Sequence, residues 1–176
     1  MGAGAAESAC HVVRECLQRG LRTRRSMKQR PSCLDLVAES TIVDAGPLVA
    51  LLNARDVHHG WARAEFGRRE APFYTCEAVL SEAQHLVVRG RGNPLQILEM
   101  LHRGALTVGL RVEDEVARLL SLQRSYQELP MSLADACVVR LAELHEHSRV
   151  FTTDTHFRVY RRNTRQLIPL LVPPSV

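Results

Sequence analysis

The sequence is short of several residue types, and each shortage excludes a kind of chemistry. Lys28 is the only lysine in the 176 residues, and it follows no glycine-rich turn, so a Walker A phosphate loop is absent. The chain also has no GxGxxG pattern for a dinucleotide. A serine or cysteine hydrolase would need a nucleophile elbow, which is absent as well.

Cysteine is present but not in a structural pattern. An odd number of cysteines without a CxxC pair argues against a disulfide framework and against a structural zinc site. We expect Cys76 and Cys137, which have apolar neighbours, to pack as small hydrophobic side chains. The cysteines are Cys10, Cys16, Cys33, Cys76 and Cys137.

Long apolar runs are missing too. None approaches the roughly 20 residues that a membrane-spanning helix needs, and residues 1–6 lack the order of a signal peptide. Reduced thiols are typical of cytoplasmic proteins. The sequence therefore predicts a cytoplasmic protein with no membrane partner.

The positive charge lies at one end of the chain. Residues 1–38 hold seven Lys or Arg against three acids, which accounts for the whole net charge of +4. We predict a basic N-terminal extension over residues 1–38, disordered or partly helical, and a folded domain over residues 39–176. The extension could be an arm that contacts RNA or a partner. We favour an extension without such a role, because nothing in the body requires it.

Short β-like runs alternate with helical patterns from residue 40 onward. Such alternation predicts a parallel sheet covered by helices on both faces. The helical patterns lie near residues 47–54, 59–69, 76–90, 93–103, 112–125 and 132–146. The predicted strands are Thr41–Val43, Phe73–Thr75, Ala105–Leu110, Arg149–Thr152 and Gln166–Leu171.

Four isolated carboxylates stand where such a fold can gather them. Asp44 and Asp154 follow predicted strands at their carboxyl ends, where parallel sheets bind ligands. Glu82 and Asp135 lie within apolar helical patterns, where a carboxylate loses solvation at a cost. Converging acids make a site for a hard divalent cation, which is a common means of cutting phosphodiesters.

Each acid also has a structural interpretation, and single residues leave the choice open. Asp44 and Asp154 could cap the helices that follow them. Asp135 stands three residues after Ser132, nearly the spacing of a capping box. Glu82 could be a partly exposed residue at the edge of an apolar stripe.

Three segments together resemble one family. Val43–Leu52, Tyr126–Ala136 and Thr152–Phe157 resemble segments of PIN domains, especially the toxin nucleases of the VapC type. The order of acids along the chain is also that of the family. The resemblance extends over about residues 40–171, and its second segment is the most specific.

The resemblance implies a fold, an activity and partners. It implies a three-layer α/β/α, PIN-like nuclease domain with a central five-stranded parallel sheet, acting as a metal-dependent ribonuclease. Thr152 would be the hydroxyl residue that precedes the last acid. The expected partners are an RNA substrate, a cognate antitoxin protein and a second copy in a homodimer. The catalytic residues, which would also bind Mg²⁺ or Mn²⁺, would be Asp44, Glu82, Asp135 and Asp154.

Two departures and two alternatives accompany this interpretation. Glu128 stands where an aspartate is common in the family, and the 38-residue extension has no counterpart. One alternative is a catalytically silent PIN-fold module for binding or regulation, disfavoured because all four acids are present. The other is a different Mg-dependent phosphohydrolase, such as a haloacid-dehalogenase-like phosphatase. That chemistry needs an aspartate where Gly46 stands and an active-site lysine inside the domain.

Three weaker signals have two interpretations each. The helix over residues 95–101 could be core or a dimer face. The pairs His58/His59 and His145/His147 are expected to face solvent rather than to bind metal. A group of arginines after Asp154 could hold RNA phosphates or be ordinary surface charge. Its members are Arg158, Arg161, Arg162 and Arg165.

Overall fold

The computed structural model describes residues 39–129 and 131–174. The predicted N-terminal extension lies outside the described residues. In chain order the elements are β1 (Ser40–Val43), α1 (Ala45–Leu52), α2 (His59–Arg68), β2 (Phe73–Thr75), α3 (Glu77–Arg89), α4 (Leu95–His102), β3 (Leu106–Val108), α5 (Val112–Ser125), α6 (Leu133–Leu144), β4 (Ser148–Phe151), a short 3₁₀ helix (Thr155–Arg158), β5 (Arg161–Arg162), β6 (Gln166–Leu167) and β7 (Leu170–Leu171).

Five strands form the central parallel sheet in the order β3-β2-β1-β4-β7. Ile42 at its centre lies opposite Tyr74 on one side and Val150 on the other. The chain thus builds outward from β1 to β3, then returns to the other side of β1 with β4. That reversal creates a switch point at the carboxyl ends of β1 and β4, where open α/β sheets bind ligands. The predicted α/β fold with a five-stranded parallel sheet is confirmed.

The core lies between this sheet and its helices. Strands covered on both faces are apolar throughout, and in β1 and β4 Ile42, Val43, Val150 and Phe151 are fully buried. Phe66 of α2 packs against Phe151 with ring centroids 5.0 Å apart, which fixes this helix to the sheet.

Two buried cysteines and one face of the apolar helix α4 contribute to the core. Cys76 and Cys137 are both fully buried, as expected. In α4 the side chains divide: Ile97 and Met100 are buried, while Leu95 and Leu98 remain 61% and 48% exposed. The helix therefore contributes to the core and also presents an apolar outer face.

The last predicted strand is divided in two. The sequence predicts one strand over Gln166–Leu171, but β6 pairs with β5 in an antiparallel hairpin and β7 joins the central sheet beside β4. Pro169 separates them, and it has no N–H to donate to a strand ladder. Its carbonyl still accepts a hydrogen bond from the Val150 N–H at 2.9 Å.

None of the helices in the two described ranges is long and apolar enough to cross a bilayer.

Candidate active site

The pairing of β1 with β4 brings two of the four acids to the same edge of the sheet. Val43 and Phe151, the last residues of the two strands, lie opposite each other. The Asp44 N–H extends the ladder by donating to the Phe151 carbonyl at 3.0 Å. Asp44 and Asp154 therefore leave neighbouring strands at the switch point, as the sequence predicts.

Asp44 is buried in this edge and held by two hydrogen bonds. Its side chain accepts from the Ala45 N–H at 2.7 Å, as the N-cap of α1, and from the Thr152 hydroxyl at 2.8 Å. The pKa of Asp44 is raised to about 7, mainly by burial and also by the charges of Asp135 and Glu82, although the two hydrogen bonds act to lower it. The capping interpretation is correct for this residue, but capping does not explain an acid whose ionisation is so disfavoured.

Thr152 connects the first acid to the last. Its hydroxyl donates to one oxygen of Asp44 and accepts from the Asp154 N–H at 2.9 Å, using both capacities of a hydroxyl group. The residue is fully buried. Thr152 thus orients the Asp44 carboxylate and ties it to the loop that carries Asp154.

Asp135 reaches the same edge from the start of α6. The capping box predicted as an alternative is present: the Asp135 N–H donates to the Ser132 hydroxyl and the Ser132 N–H donates to the Asp135 carboxylate, both at 3.0 Å. Burial nevertheless raises the pKa of Asp135, and the Asp154 charge adds to the rise. The box fixes the side chain while leaving it among like charges.

Glu82 projects from α3, which packs against α6. It is exposed, as the edge-of-stripe interpretation requires. Partial burial still raises the pKa of Glu82, followed by the charges of Asp135 and Asp154. Because the charges of Asp135 and Asp154 contribute to this shift, Glu82 lies within electrostatic reach of both acids.

Asp154 caps the short 3₁₀ helix by accepting the His156 N–H at 2.9 Å. The His156 ring also approaches, with Nδ1 3.3 Å from the same carboxylate oxygen. Sequence reasoning missed this histidine beside the cluster. It stands two residues after the acid, but only the turn of the 3₁₀ helix brings the ring back.

Tyr160 is a second neighbour that the sequence did not indicate. It is fully buried, and burial raises the pKa of its phenol, with further increases from Asp135, Asp154 and Asp44. Tyr160 therefore lies within electrostatic reach of three of the four acids. Its position in an arginine-rich stretch gave no signal.

The four acids form one electrostatic cluster with little compensation. Each of the raised pKa values has another member of the cluster among its causes. Within residues 39–129 and 131–174, the contact with the His156 ring is the one contact within salt-bridge distance that any of the four makes with a basic side chain. Acids collected without cations repel each other, and this repulsion favours a bound positive ion.

The donor set fits a hard divalent cation. It consists of carboxylate oxygens, the ligands that Mg²⁺ and Mn²⁺ prefer, and each carboxylate has about four lone-pair sites, more than these hydrogen bonds use. Among the described residues, however, no three His, Cys, Asp or Glu side chains already meet the spacing of a metal centre. The side chains would therefore have to converge further on binding.

The arginines after Asp154 are divided between structure and solvent. Arg161 donates to the carbonyls of Arg158, Val159 and Tyr160, and Arg162 donates to the Glu146 carbonyl at 2.8 Å, beyond the end of α6. These two side chains stabilise the backbone. The remaining two, Arg158 and Arg165, are exposed.

The histidine pairs form no metal site among the described residues. His59 Nδ1 lies 2.8 Å from the Ala50 carbonyl, His58 packs edge-on to Trp61, and the His145 ring lies 4.6 Å from that of Tyr74. Only His147 is exposed, whereas the other three are half-buried and pack on neighbouring groups.

A parallel α/β sheet with acids at its switch point defines the class of α/β proteins that bind ligands beyond the carboxyl ends of their strands. The family follows from comparison with known proteins: the PIN domain model matches residues 41–163, more than half of the chain, which therefore belongs to the PIN domain family. PIN domains are generally metal-dependent nucleases, so the chain has a nuclease-type fold. No curated protein matches the sequence.

Proposed function

We propose that this protein is a metal-dependent endoribonuclease that hydrolyses RNA phosphodiester bonds. The proposal rests on acids from β1, α3, α6 and the β4 end that influence one another: the raised pKa values of Asp44, Glu82 and Asp135 each have other acids of the four among their causes. Their charges are left uncompensated by arginine or lysine within the described residues. The acids are Asp44, Glu82, Asp135 and Asp154.

The chain's own residues supply orientation and charge. Asp44 and Asp135 are the most constrained, because Thr152 and the capping box fix their carboxylates. Exposed Glu82 is free to move toward a ligand. Bound Mg²⁺ or Mn²⁺ supplies an activated water and neutralises phosphate charge. Without it the acids repel RNA phosphates, so cleavage should depend on the cation almost absolutely.

A finer assignment rests on sequence resemblance. The segments Val43–Leu52, Tyr126–Ala136 and Thr152–Phe157 support a VapC-like toxin of a type II toxin–antitoxin system, with a small antitoxin as partner. A homodimer is part of this proposal, supported by the exposed Leu95 and Leu98 on α4.

The direct test is a cleavage assay on a panel of RNAs with Mg²⁺, with Mn²⁺ and with EDTA. Cleavage with either metal and none with EDTA is the expected result. Calorimetric titration with Mn²⁺ separates the alternatives. A silent PIN module without metal binding would show no heat and no cleavage, and a different phosphohydrolase would spare RNA while hydrolysing small phosphate esters.

The toxin assignment has its own test. Expression of the wild type in a bacterial host should arrest growth, and expression of Asp44→Asn should not. Normal growth on expression of a wild type that cleaves RNA in vitro would leave a ribonuclease that is not a toxin.

A further inference from the structure

Gly46 sits where a side chain would collide with the loop that carries the last acid. It is the second residue of α1. A Cβ atom built on it would lie 2.0 Å from the Thr153 Oγ1 atom and 3.2 Å from the Thr153 Cβ atom. Real Cβ contacts essentially never fall below 3.0 Å. The missing side chain therefore lets Thr153 seat against the first turn of α1.

The backbone conformation does not explain this glycine. Its φ is not in the left-handed region that favours glycine. Glycine is also less favourable than alanine within a helix. The close approach of Thr153 is the feature that requires glycine here.

The contact joins the first turn of α1, which follows Asp44, to the loop that carries Asp154. Gly46 follows Asp44 by two residues, and Thr153 directly precedes Asp154. The neighbouring Thr152 hydroxyl bonds to Asp44 at 2.8 Å, so this edge has one hydrogen-bonded contact and one steric contact. We expect a side chain at position 46 to push the residues after β4 outward. That shift would lengthen the hydrogen bond between Thr152 and Asp44.

We propose that Gly46 is a positioning residue whose contact with Thr153 sets the separation between Asp44 and Asp154. The functional part of this inference rests on the proposed metal-dependent activity, because a cation must reach both carboxylates. A shift of the β4 end would then weaken cation binding without unfolding the domain. The helix itself would tolerate alanine.

Gly60 provides a matched control. It is the second residue of α2, as Gly46 is of α1. A Cβ atom at Gly60 would meet nothing within 4 Å. Gly60→Ala therefore makes the same chemical change at the same helical position without a collision.

The experiment is a double-mutant cycle on the full chain. Gly46→Ala, Gly60→Ala, Thr153→Ala and the Gly46→Ala/Thr153→Ala double variant are titrated with Mn²⁺ by calorimetry, and kcat and KM are measured. Gly46→Ala should bind Mn²⁺ about tenfold more weakly, the scale seen when a group that orients metal ligands is lost. Gly60→Ala should match the wild type. In the Thr153→Ala background, which lacks the colliding Oγ1 atom, the Gly46 substitution should cost much less.

Three outcomes would overturn the inference. Equal Mn²⁺ affinity in Gly46→Ala and Gly60→Ala would show that the contact does not set the site, and an equal loss in both Thr153 backgrounds would place the effect elsewhere. A wild type that neither binds Mn²⁺ nor cleaves RNA would instead refute the proposed function. The third outcome comes from crystal structures of the wild type and Gly46→Ala. An unchanged separation between Asp44 and Asp154 would refute the positioning role of Gly46.

Discussion

Asp44 and Glu143 are both buried, but the hydrogen-bond donors around them differ in charge. Glu143, with a side chain only 1% exposed, accepts hydrogen bonds from Arg118, from Arg140 at 3.1 Å and from the Asn163 N–H at 2.9 Å. Burial alone would raise the pKa of Glu143, but these donors outweigh it and lower the pKa. Among the residues that the structure describes, Asp44 has only neutral donors, the Ala45 N–H and the Thr152 hydroxyl, and its pKa is raised to about 7.

Helix α6 carries one acid of each kind. Asp135 at its start faces other carboxylates, whereas Glu143 near its end faces arginines. Compensation makes the second a structural joint between α5, α6 and the β5–β6 hairpin. The lack of compensation around Asp135 supports the proposal that it belongs to a ligand-binding site. The charges around an acid thus distinguish the two roles better than its burial does.

The largest expected effect is the loss of RNA cleavage when the charge of Asp44 is removed. Asp44→Asn should lower RNA cleavage by at least about 100-fold, because the amide keeps the shape but removes a negative ligand charge. The measurement is kcat/KM in the RNA assay, with circular dichroism as a check on the fold. Asp56→Asn is the matched control, since Asp56 also accepts a local N–H, from His58 at 2.8 Å, but lies beyond the far end of α1. Unchanged turnover in a folded Asp44→Asn protein would refute the assignment.

Asp135 allows the capping role to be separated from the proposed catalytic role. An asparagine oxygen can still accept the Ser132 N–H, so Asp135→Asn should keep the cap and lose cleavage. Ser132→Ala should lower stability by about 1 kcal/mol and spare most of the activity. If Asp135→Asn mainly lowers the melting temperature and remains active, the carboxylate is only a cap.

The next largest effect is the loss of stability when the charge of Glu143 is removed. Glu143→Gln should lower the free energy of unfolding by about 3 kcal/mol, because Arg118 and Arg140 lose the charge that balances them. Urea denaturation measures the change. Glu113→Gln is the control: its side chain is 82% exposed beside Arg111, and its loss should cost less than about 1 kcal/mol. Equal effects of the two substitutions would show that the buried network adds nothing special.

Metal should stabilise the wild type through the acidic cluster. A cation that binds only the native state adds about 2.7 kcal/mol at a hundredfold excess over its dissociation constant. Mg²⁺ or Mn²⁺ should therefore raise the melting temperature, and the shift should shrink in Asp44→Asn and Asp154→Asn. Without metal, both variants could exceed the wild type in stability, because repulsion is relieved. Equal shifts in all three proteins would place the cation elsewhere.

The contributions of Glu143 and Asp44 to stability should change with pH in opposite directions. The folded-state pKa of Glu143 lies below its ordinary value of 4.5, so its contribution is present above pH 4.5 and lost as pH falls through the lower value. The pKa of Asp44 rises from 3.8 to about 7, so the folded protein loses stability as pH rises through that interval.

Melting temperatures of metal-free proteins from about pH 3 to pH 8 test these signs. Asp44→Asn should lack the decline toward neutral pH, and Glu143→Gln should lose less stability in acid. Parallel curves for the wild type and both variants would contradict the contrast between the groups.

The smallest expected effect is that of removing residues 1–38. This segment carries the net charge but none of the four acids, so the truncated protein should fold and cleave as the full chain does. Cleavage is measured at low and at physiological salt. A large loss confined to physiological salt would show that the basic arm holds RNA, since such contacts weaken steeply with salt.

The sequence by itself determined the fold class, and it named the four acids that remain candidates for the cluster. Alternating strand and helix patterns are local, so the parallel α/β architecture could be predicted from residue spacing. Asp44 and Asp154 could be placed because a strand's carboxyl end is visible in sequence. The capping roles were also local, which is why capping and ligand binding could not be separated for Asp44 or Asp135.

Only the tertiary structure decided which charges meet. Arg118 and Glu143 are 25 residues apart, and Thr152 and Asp44 are 108 apart, so no local period connects them. Strand order places β4 beside β1 and so brings Thr153 against Gly46. The same packing places Arg162 against backbone carbonyls and Glu143 against arginines. It also leaves Asp44, Glu82 and Asp135 with pKa values that are raised partly by other acids. Long-range contacts depend on how sheets and helices assemble, and that assembly gave each acid its role.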